Sequence, residues 1–181
     1  HRNTEVKRIV VEDGKVSYVE TADGSKVHGK NFISNMHPVR TLDMTESNLI
    51  KQAYKHRVKS LENSIGGFVV NIVFEKNTYP YIKNNFYYIK DGQEWNLTEY
   101  NDETWPSCYA VFCSASSKSP DYAESMTLLA YMKFDEVKQW AGTFNTVSKE
   151  EDRGKDYEAF KKIKAEKLLS LVEERFPGVR K

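Results

Sequence analysis

The chain has 181 residues, of which 39% are hydrophobic and 29% are charged, and its formal net charge is +1. This composition indicates a folded globular protein, and the near-zero charge argues against nucleic acid as a partner, because proteins that bind nucleic acid usually carry a marked basic excess. No apolar run approaches the roughly 20 residues that cross a bilayer, so no integral membrane segment is predicted.

Residues 1–38 are predicted to form a small β-meander. The pair Asp13-Gly14 is typical of a tight hairpin turn between two runs rich in β-branched residues, and Gly24 marks a second turn. The predicted strands are 6–11, 16–19, 26–28 and 31–34. A meander of this size buries too little apolar surface to be stable alone, so we expect it to be attached to a larger body.

The remainder is predicted to contain helices and strands in a single core. After Pro38 a helix is predicted with Thr45 as its N-cap, and its apolar residues at helical spacing are Leu49, Ile50, Ala53, Tyr54, Val58 and Leu61. Phe68–Phe74 is predicted to be a central or well-covered strand, because only Asn71 interrupts its apolar faces. The other predicted elements are strands at 85–89, 108–114 and 126–134, a loop at 115–121, a short helix or turn at 135–144, and a helix at 155–176.

The last of these helices is amphipathic, and Pro177-Gly178 ends it. Its predicted buried stripe consists of Tyr157, Phe160, Ile163, Ala165, Leu168, Leu169, Val172 and Phe176. The fold class is therefore predicted to be α+β: a mostly antiparallel (mixed) sheet flanked by helices, with a small N-terminal β-meander. We expect a single-domain fragment, 1–181, made of the meander (1–38), the main sheet with its helix (39–147) and the C-terminal helix (148–181).

Aromatic residues are concentrated between Thr78 and Ile89. Tyr79, Tyr81, Phe86 and Tyr88, together with Tyr87, line an apolar cleft in one interpretation. In the other interpretation they pack a sheet, because aromatic residues favour strands for packing reasons alone. We take Tyr79, Tyr81, Phe86 and Tyr88 as the candidate substrate contacts.

No residues predict a self-sufficient active site or a metal site. The chain has no glycine-rich phosphate loop and no nucleophile elbow. The histidines, His1, His28, His37 and His56, are scattered, and His37 stands out only because it follows a predicted strand end. Cys108 and Cys113 are predicted to lie on opposite faces of one strand as reduced, buried thiols. No catalytic residue is assigned.

The order of these segments resembles the phytoene desaturase and carotenoid isomerase type of flavoprotein, most closely its all-trans-retinol 13,14-reductase (retinol saturase) branch. The likeness begins in the meander and its Ile33-Ser34-Asn35 end and continues to the C-terminal helix. Its residues are Val6, Ile9, Val11, Gly14, Val16, Val19, Asp23-Gly24, Phe32–Asn35, Tyr54, Arg57, Leu61, Ser64, Phe68–Phe74, Phe134–Trp140, Arg153-Gly154, Tyr157, Lys161 and Phe176-Pro177.

The resemblance implies FAD as the cofactor of an intact parent enzyme. Val6 would meet the adenine through its main chain, Asn35 would lie near the cofactor, and the meander would join a missing FAD domain. Residues 42–147 would cover the flavin and bind an apolar, isoprenoid-like or retinoid-like substrate. The glycine-rich turn that binds pyrophosphate is absent, so we expect an internal portion of a longer oxidoreductase that does not hold FAD tightly by itself.

Two alternatives of other classes remain open. The chain is either a stand-alone module that binds an apolar ligand without catalysis, or a dimerisation module whose interface is formed by the aromatic residues. The resemblance implies a cytoplasmic enzyme, with peripheral contact at a membrane as an open alternative. Oligomeric state and the use of a nicotinamide cofactor are not predicted.

Overall fold

The structure, a computed structural model, describes residues 2–143 and 153–180. Its contacts divide the chain into two compact units, unit 1 (residues 1–63) and unit 2 (residues 64–181). Each unit contains one four-stranded sheet together with helices, which confirms the α+β class. Residues 39–63 group with the meander in unit 1 rather than with the second sheet. The prediction of a single-domain fragment stays a prediction. The predicted boundary at residue 147 lies outside the described residues, and so does His1.

Unit 1 is built on a hairpin that the sequence predicts well. Asp13 and Gly14 both have positive φ, 49° and 79°, as the tight turn requires. The sheet order is β3-β2-β1-β4, in which β4 runs parallel to β1. The elements are β1 (Val6–Glu12), β2 (Lys15–Thr21), β3 (Lys26–His28), α1 (Pro38–Met44), β4 (Thr45–Glu46) and α2 (Gln52–Lys59).

Two predictions for unit 1 are wrong. Phe32–Asn35 has no regular structure, and the fourth strand is β4, in which Thr45 pairs with Ile9. Thr45 is therefore not an N-cap. The predicted helix is α2, which begins later, at Gln52, with Lys51 as its N-cap. A separate helix that was not predicted, α1, begins at Pro38, which suits the first helical position, and the His37 ring accepts a hydrogen bond from the N–H of Val39.

Unit 2 contains a wholly antiparallel sheet of order β5-β8-β7-β6. Its elements are β5 (Gly66–Val73), β6 (Phe86–Ile89), β7 (Cys108–Ser116), β8 (Ser119–Met132), two short 3₁₀ turns (Phe134–Glu136 and Lys138–Trp140) and α3 (Lys155–Arg175). The predicted loop at 115–121 is wrong, because Ser116 pairs with Ser119 and β7 and β8 form a tight hairpin. The prediction that 68–74 is a central strand is also wrong, since β5 is an edge strand.

The two faces of this second sheet have different environments. Helix α3 packs on one face, where Val111, Met126 and Leu128 are fully buried with Leu168 and Val172 of the helix. The other face, which we call the open face, is exposed at Val69, Val73 and Tyr87. Within residues 2–143 and 153–180, none of the helices combines the length and apolar character needed to cross a bilayer.

Candidate functional site

The alternation of side chains along β6 sends its aromatic residues to opposite faces of the sheet. On the helix-covered face, the Phe86 ring meets Phe176 edge-on at 5.1 Å. The Tyr88 ring lies between Tyr109, at 5.0 Å, and the guanidinium of Arg175, at 4.1 Å. Tyr87 and Ile89, one position out of phase, belong to the open face.

The open face carries a groove of about 180 Å³, which we call the aromatic groove. A cross-strand row of Tyr87, Ala110 and Leu129 crosses its middle, and Tyr87 meets Phe112 edge-on at 6.0 Å. Its lining residues are Tyr87, Tyr88, Ile89, Leu97, Cys108, Tyr109, Ala110, Phe112, Leu129 and Tyr131. None of these side chains is a carboxylate, an amine, a guanidine or an imidazole, so the groove suits an apolar ligand.

The four predicted substrate contacts lie in different environments. Tyr79 is buried in the core and stacks on Phe74 at 4.4 Å, as the packing interpretation predicts. The main chain of Tyr81 bonds to Asp121, and the Phe86 ring packs against α3. Of the four, only Tyr88 is among the residues that line the aromatic groove, and its ring packs on the opposite face of the sheet against Tyr109 and Arg175.

The sequence analysis overlooked most of the groove. Tyr87 was predicted only as a member of the wider aromatic group. The missed residues are Ile89, Leu97, Cys108, Tyr109, Ala110, Phe112, Leu129 and Tyr131. The period-2 alternation within 86–89, 108–112 and 129–131 was the available signal. Side chains that alternate along a strand point to opposite faces, so this alternation divides the residues into a groove set and a set that faces α3. The sequence does not show which set is which.

Two residues that line the groove, Cys108 and Tyr109, have a raised pKa. Burial raises the pKa of the Cys108 thiol, with a smaller opposing effect from the main chain of Tyr131. Burial also raises the pKa of Tyr109, against the lowering effect of Arg175. A thiol with a raised pKa forms little thiolate and is a poor nucleophile, so these groups favour binding over chemistry. Cys113, on the opposite face of β7, is the second free cysteine, as predicted.

Unit 1 contains a separate cavity of about 210 Å³ that brings Val6 and Asn35 together. Its other lining residues are Ile9, Val19, Phe32, Ile33, Ser34 and Met36. The cavity is smaller than the roughly 300–1,000 Å³ of a typical ligand pocket, so it has room for only one portion of a large cofactor.

The main chain of Val6 lies at a free edge of β1. The carbonyl of Glu5 accepts a hydrogen bond from the N–H of Ala22, on the side of β2. Because the peptide is planar and trans, the N–H of Val6 points away from β2, and β4 pairs with β1 only at Ile9 and Val10. Among the described residues, the cavity thus offers one outward N–H donor beside an apolar wall, and no glycine-rich turn that could bind a pyrophosphate adjoins it.

His37 has a structural environment rather than a ligand-binding one. Its Nδ1 accepts from the N–H of Val39, and its Nε2 lies 2.7 Å from Oδ1 of Asn63. Within the described part of the chain, no group of three or more His, Cys, Asp or Glu side chains is placed to hold a metal ion.

A buried charged cluster occurs in unit 2 and was not predicted. Lys164 of α3 is only 6% exposed, and its Nζ lies 2.5 Å from Oε2 of Glu136 and 4.5 Å from the centre of the Trp105 ring. The Tyr100 hydroxyl donates to Oε1 of Glu136 and accepts from the N–H of Lys133. Burial, and then the hydrogen bond to Glu136, raise the pKa of Tyr100. The cluster joins α3 to the 94–106 loop and to the first 3₁₀ turn, which is a structural role.

Comparison of the chain with models of known protein families, with curated proteins and with solved structures finds no match in any of the three.

Proposed function

We propose that this chain is the substrate-binding portion of an FAD-dependent oxidoreductase that acts on C=C bonds of an apolar, isoprenoid-like or retinoid-like molecule. The observation that carries the proposal is the aromatic groove, an apolar channel on an exposed sheet face with no charged lining residue. Its volume of about 180 Å³ has room for one portion of such a molecule, and the rest of the molecule would extend beyond the groove. A polyene offers the flat apolar surface that rings such as Tyr87 and Phe112 contact well.

The cofactor part of the proposal is supported by the cavity of unit 1. Val6 and Asn35 both line it, and the outward main chain of Val6 is available to an adenine edge. When bound, the flavin would supply the hydride exchange, and the residues of the chain would bind and orient the substrate and exclude water from it. Within the proposal, the enzyme is cytoplasmic and collects its substrate peripherally at a membrane surface.

The substrate class is tested by titrating the chain with all-trans-retinol and following the quenching of its intrinsic fluorescence. Tyr87→Ala should weaken binding about tenfold, because Tyr87 is 70% exposed and forms one wall of the groove. Tyr122→Ala, an exposed tyrosine outside the groove, is the matched control and should bind as the unmodified chain does. Equal loss in both variants, or no binding by the unmodified chain, would contradict the proposal.

The cofactor is tested separately with ADP as the probe, using the amide chemical shifts of the chain to detect weak binding. The amides of Val6 and Asn35, which both line the cavity, should shift when ADP is added. Val6→Pro, which removes the outward N–H, should abolish the shift of the Asn35 amide, whereas Val6→Ala, which keeps that N–H, should not. Retinol binding without any ADP effect at Val6 would instead favour the second candidate, an apolar-ligand module without catalysis.

A further inference from the structure

The outer edge of β5 lacks the features that normally prevent strand edges from pairing. The eight residues Gly66–Val73 contain no charged residue and no proline, and their pairing with β8 has no register shift. Val69 is 45% exposed and Val73 is 80% exposed. No strand within the described residues pairs with this edge. A long, flat, apolar edge strand is a template for pairing with another strand.

The other edge strands of the two sheets are protected in recognisable ways. Strand β3 has three residues and carries Lys26, and β4 has two residues and carries Glu46. Strand β6 has four residues, and Lys90 follows it directly. Shortness and charge are the usual means by which an edge avoids association. The contrast marks β5 as the edge that is left available.

The hydrogen-bonding direction of β5 restricts how a partner strand can pair. The N–H of Phe74 donates to the carbonyl of Glu124 in β8, so the main chain of every second residue before it also faces β8. The main-chain groups of Gly67, Val69, Asn71 and Val73 therefore face outward. An antiparallel partner strand must likewise present the N–H and C=O groups of every second residue toward β5. A second copy of β5 meets this requirement.

We propose that β5 pairs antiparallel with β5 of a second copy of this chain, with Asn71 opposite Asn71. In this register Val69 lies opposite Val73 on the open face, and Val70 lies opposite Ile72 on the helix-covered face. Directly opposite residues of an antiparallel pair share a face, so both copies of α3 lie on one side of a single continuous sheet. The two open faces then form one continuous surface on the other side.

Asn71 accounts for the choice of register. Its Oδ1 accepts a hydrogen bond from Oγ1 of Thr127 at 2.9 Å, which leaves the amide NH₂ group to donate across the two-fold axis to the second Asn71. Any other register places this amide opposite an apolar residue. A single polar residue in an apolar seam is a known means of specifying register.

The association is tested by sedimentation equilibrium of the full chain over a roughly hundredfold range of concentration. The unmodified chain should dimerise. Val73→Pro should raise the dissociation constant about 10- to 50-fold, because it deletes an outward N–H from each copy and leaves the bonds to β8 intact. Val73→Ala keeps that N–H and is the control. A monomeric unmodified chain, or equal dissociation constants for the two variants, would overturn the proposal.

The register is tested by disulfide formation, read out by peptide mass spectrometry. Asn71 is left unchanged, because it specifies the register. An equal mixture of Val69→Cys and Val73→Cys chains should cross-link between the two positions under mild oxidation. Neither variant alone should cross-link, because two copies of position 69, or two of position 73, would lie about 13 Å apart, beyond the reach of a disulfide. Cross-linking of either variant alone as fast as that of the mixture would refute the register, and the Val73→Pro variant, read by circular dichroism, verifies that unit 2 stays folded.

Discussion

At the scale of single residues, the stability of unit 2 depends on a lysine that lies where an apolar side chain would be expected. Lys164 is buried between Glu136 and the Trp105 ring, whereas Lys161, one turn earlier on α3, pairs with Glu158 near the surface. A buried pair that loses one partner leaves an uncompensated charge, whereas an exposed pair contributes little. The two lysines therefore have very different energetic roles.

We predict that Lys164→Met lowers the free energy of unfolding by about 3 kcal/mol, since Glu136 is left buried without its cation. Lys161→Met, the matched control, should change it by less than about 0.5 kcal/mol. Adding Glu136→Gln to Lys164→Met should recover part of the loss. Urea denaturation measures all three, and similar losses for the two lysine variants would argue against a buried charge pair.

Alkaline pH should destabilise unit 2 through its buried tyrosines. Burial raises the pKa of Tyr79, Tyr100 and Tyr109 above the ordinary value of 10.0. As pH rises past that value, the unfolded chain loses these protons before the folded chain does. Their contribution to stability is therefore complete below pH 10.0 and is lost above it, by about 1.4 kcal/mol per pH unit for each proton.

The matching prediction is that the free energy of unfolding falls between about pH 9 and pH 11, and that the fall is shallower in Tyr100→Phe, which has no phenolic proton at that site. Urea titrations at the two pH values give the slopes. Tyr122→Phe, at an exposed tyrosine, is the control and should retain the slope of the unmodified chain. Identical slopes for Tyr100→Phe and the control would rule out Tyr100 as a contributor.

At the scale of elements, α3 shows where a hydrophobic pattern misleads. Its predicted stripe includes Ile163, which is 68% exposed, and omits Lys164, which is buried. The other members of the stripe are buried or half-buried, and Leu168 and Val172 are fully buried, so the apolar residues give nearly the correct length and most of the buried face. The partners that make Lys164 acceptable inside, Glu136 and Trp105, are distant in sequence, so no local pattern reveals them.

The buried face of α3 is tested by truncating two members of the predicted stripe, one buried and one exposed. Leu168→Ala should cost about 2–5 kcal/mol of stability, because Leu168 is fully buried and its loss leaves a cavity. Ile163→Ala should cost less than about 0.5 kcal/mol, as expected for an exposed side chain. Comparable losses from the two truncations would mean that Ile163 is buried, as the sequence predicts.

The other elements show the same division between features that a local sequence pattern predicts and features that depend on distant residues. The Asp13-Gly14 turn, most of the strand positions and the bounds of α3 follow from the sequence, because turn chemistry and periodicity are local. The edge position of β5, the short strand at Thr45-Glu46 and the composition of the aromatic groove do not. They depend on which strands become neighbours, and on which side α3 packs.

At the scale of the molecule, the two units differ in the core that supports them. In unit 2 a single cluster joins the sheet to α3 through residues such as Val111, Leu128 and Leu168. Among the described residues of unit 1, Ile9 is the only hydrophobic residue in the buried core. A unit with so little buried apolar surface has marginal stability.

We predict that residues 64–181, expressed alone, keep a cooperative unfolding transition and a free energy of unfolding within about 1 kcal/mol of that of the same unit in the full chain. Hydrogen exchange should show strong protection in β7 and β8 and weak protection in β1–β3 of the full chain. Loss of cooperative unfolding in the isolated segment, or equal protection in the two sheets, would contradict this difference.

The order of strands in unit 2 also has a consequence for synthesis of the chain. Strand β5 emerges first, yet its only described partner is β8, where Gly66 pairs with Met132. On the ribosome, an uncharged apolar strand must therefore remain unpaired until the last strand of the sheet has been translated. Long-range strand pairing is slow, and exposed strands of this kind aggregate. The yield of soluble protein should consequently depend on translation speed and chaperone supply more than on the stability of the finished fold.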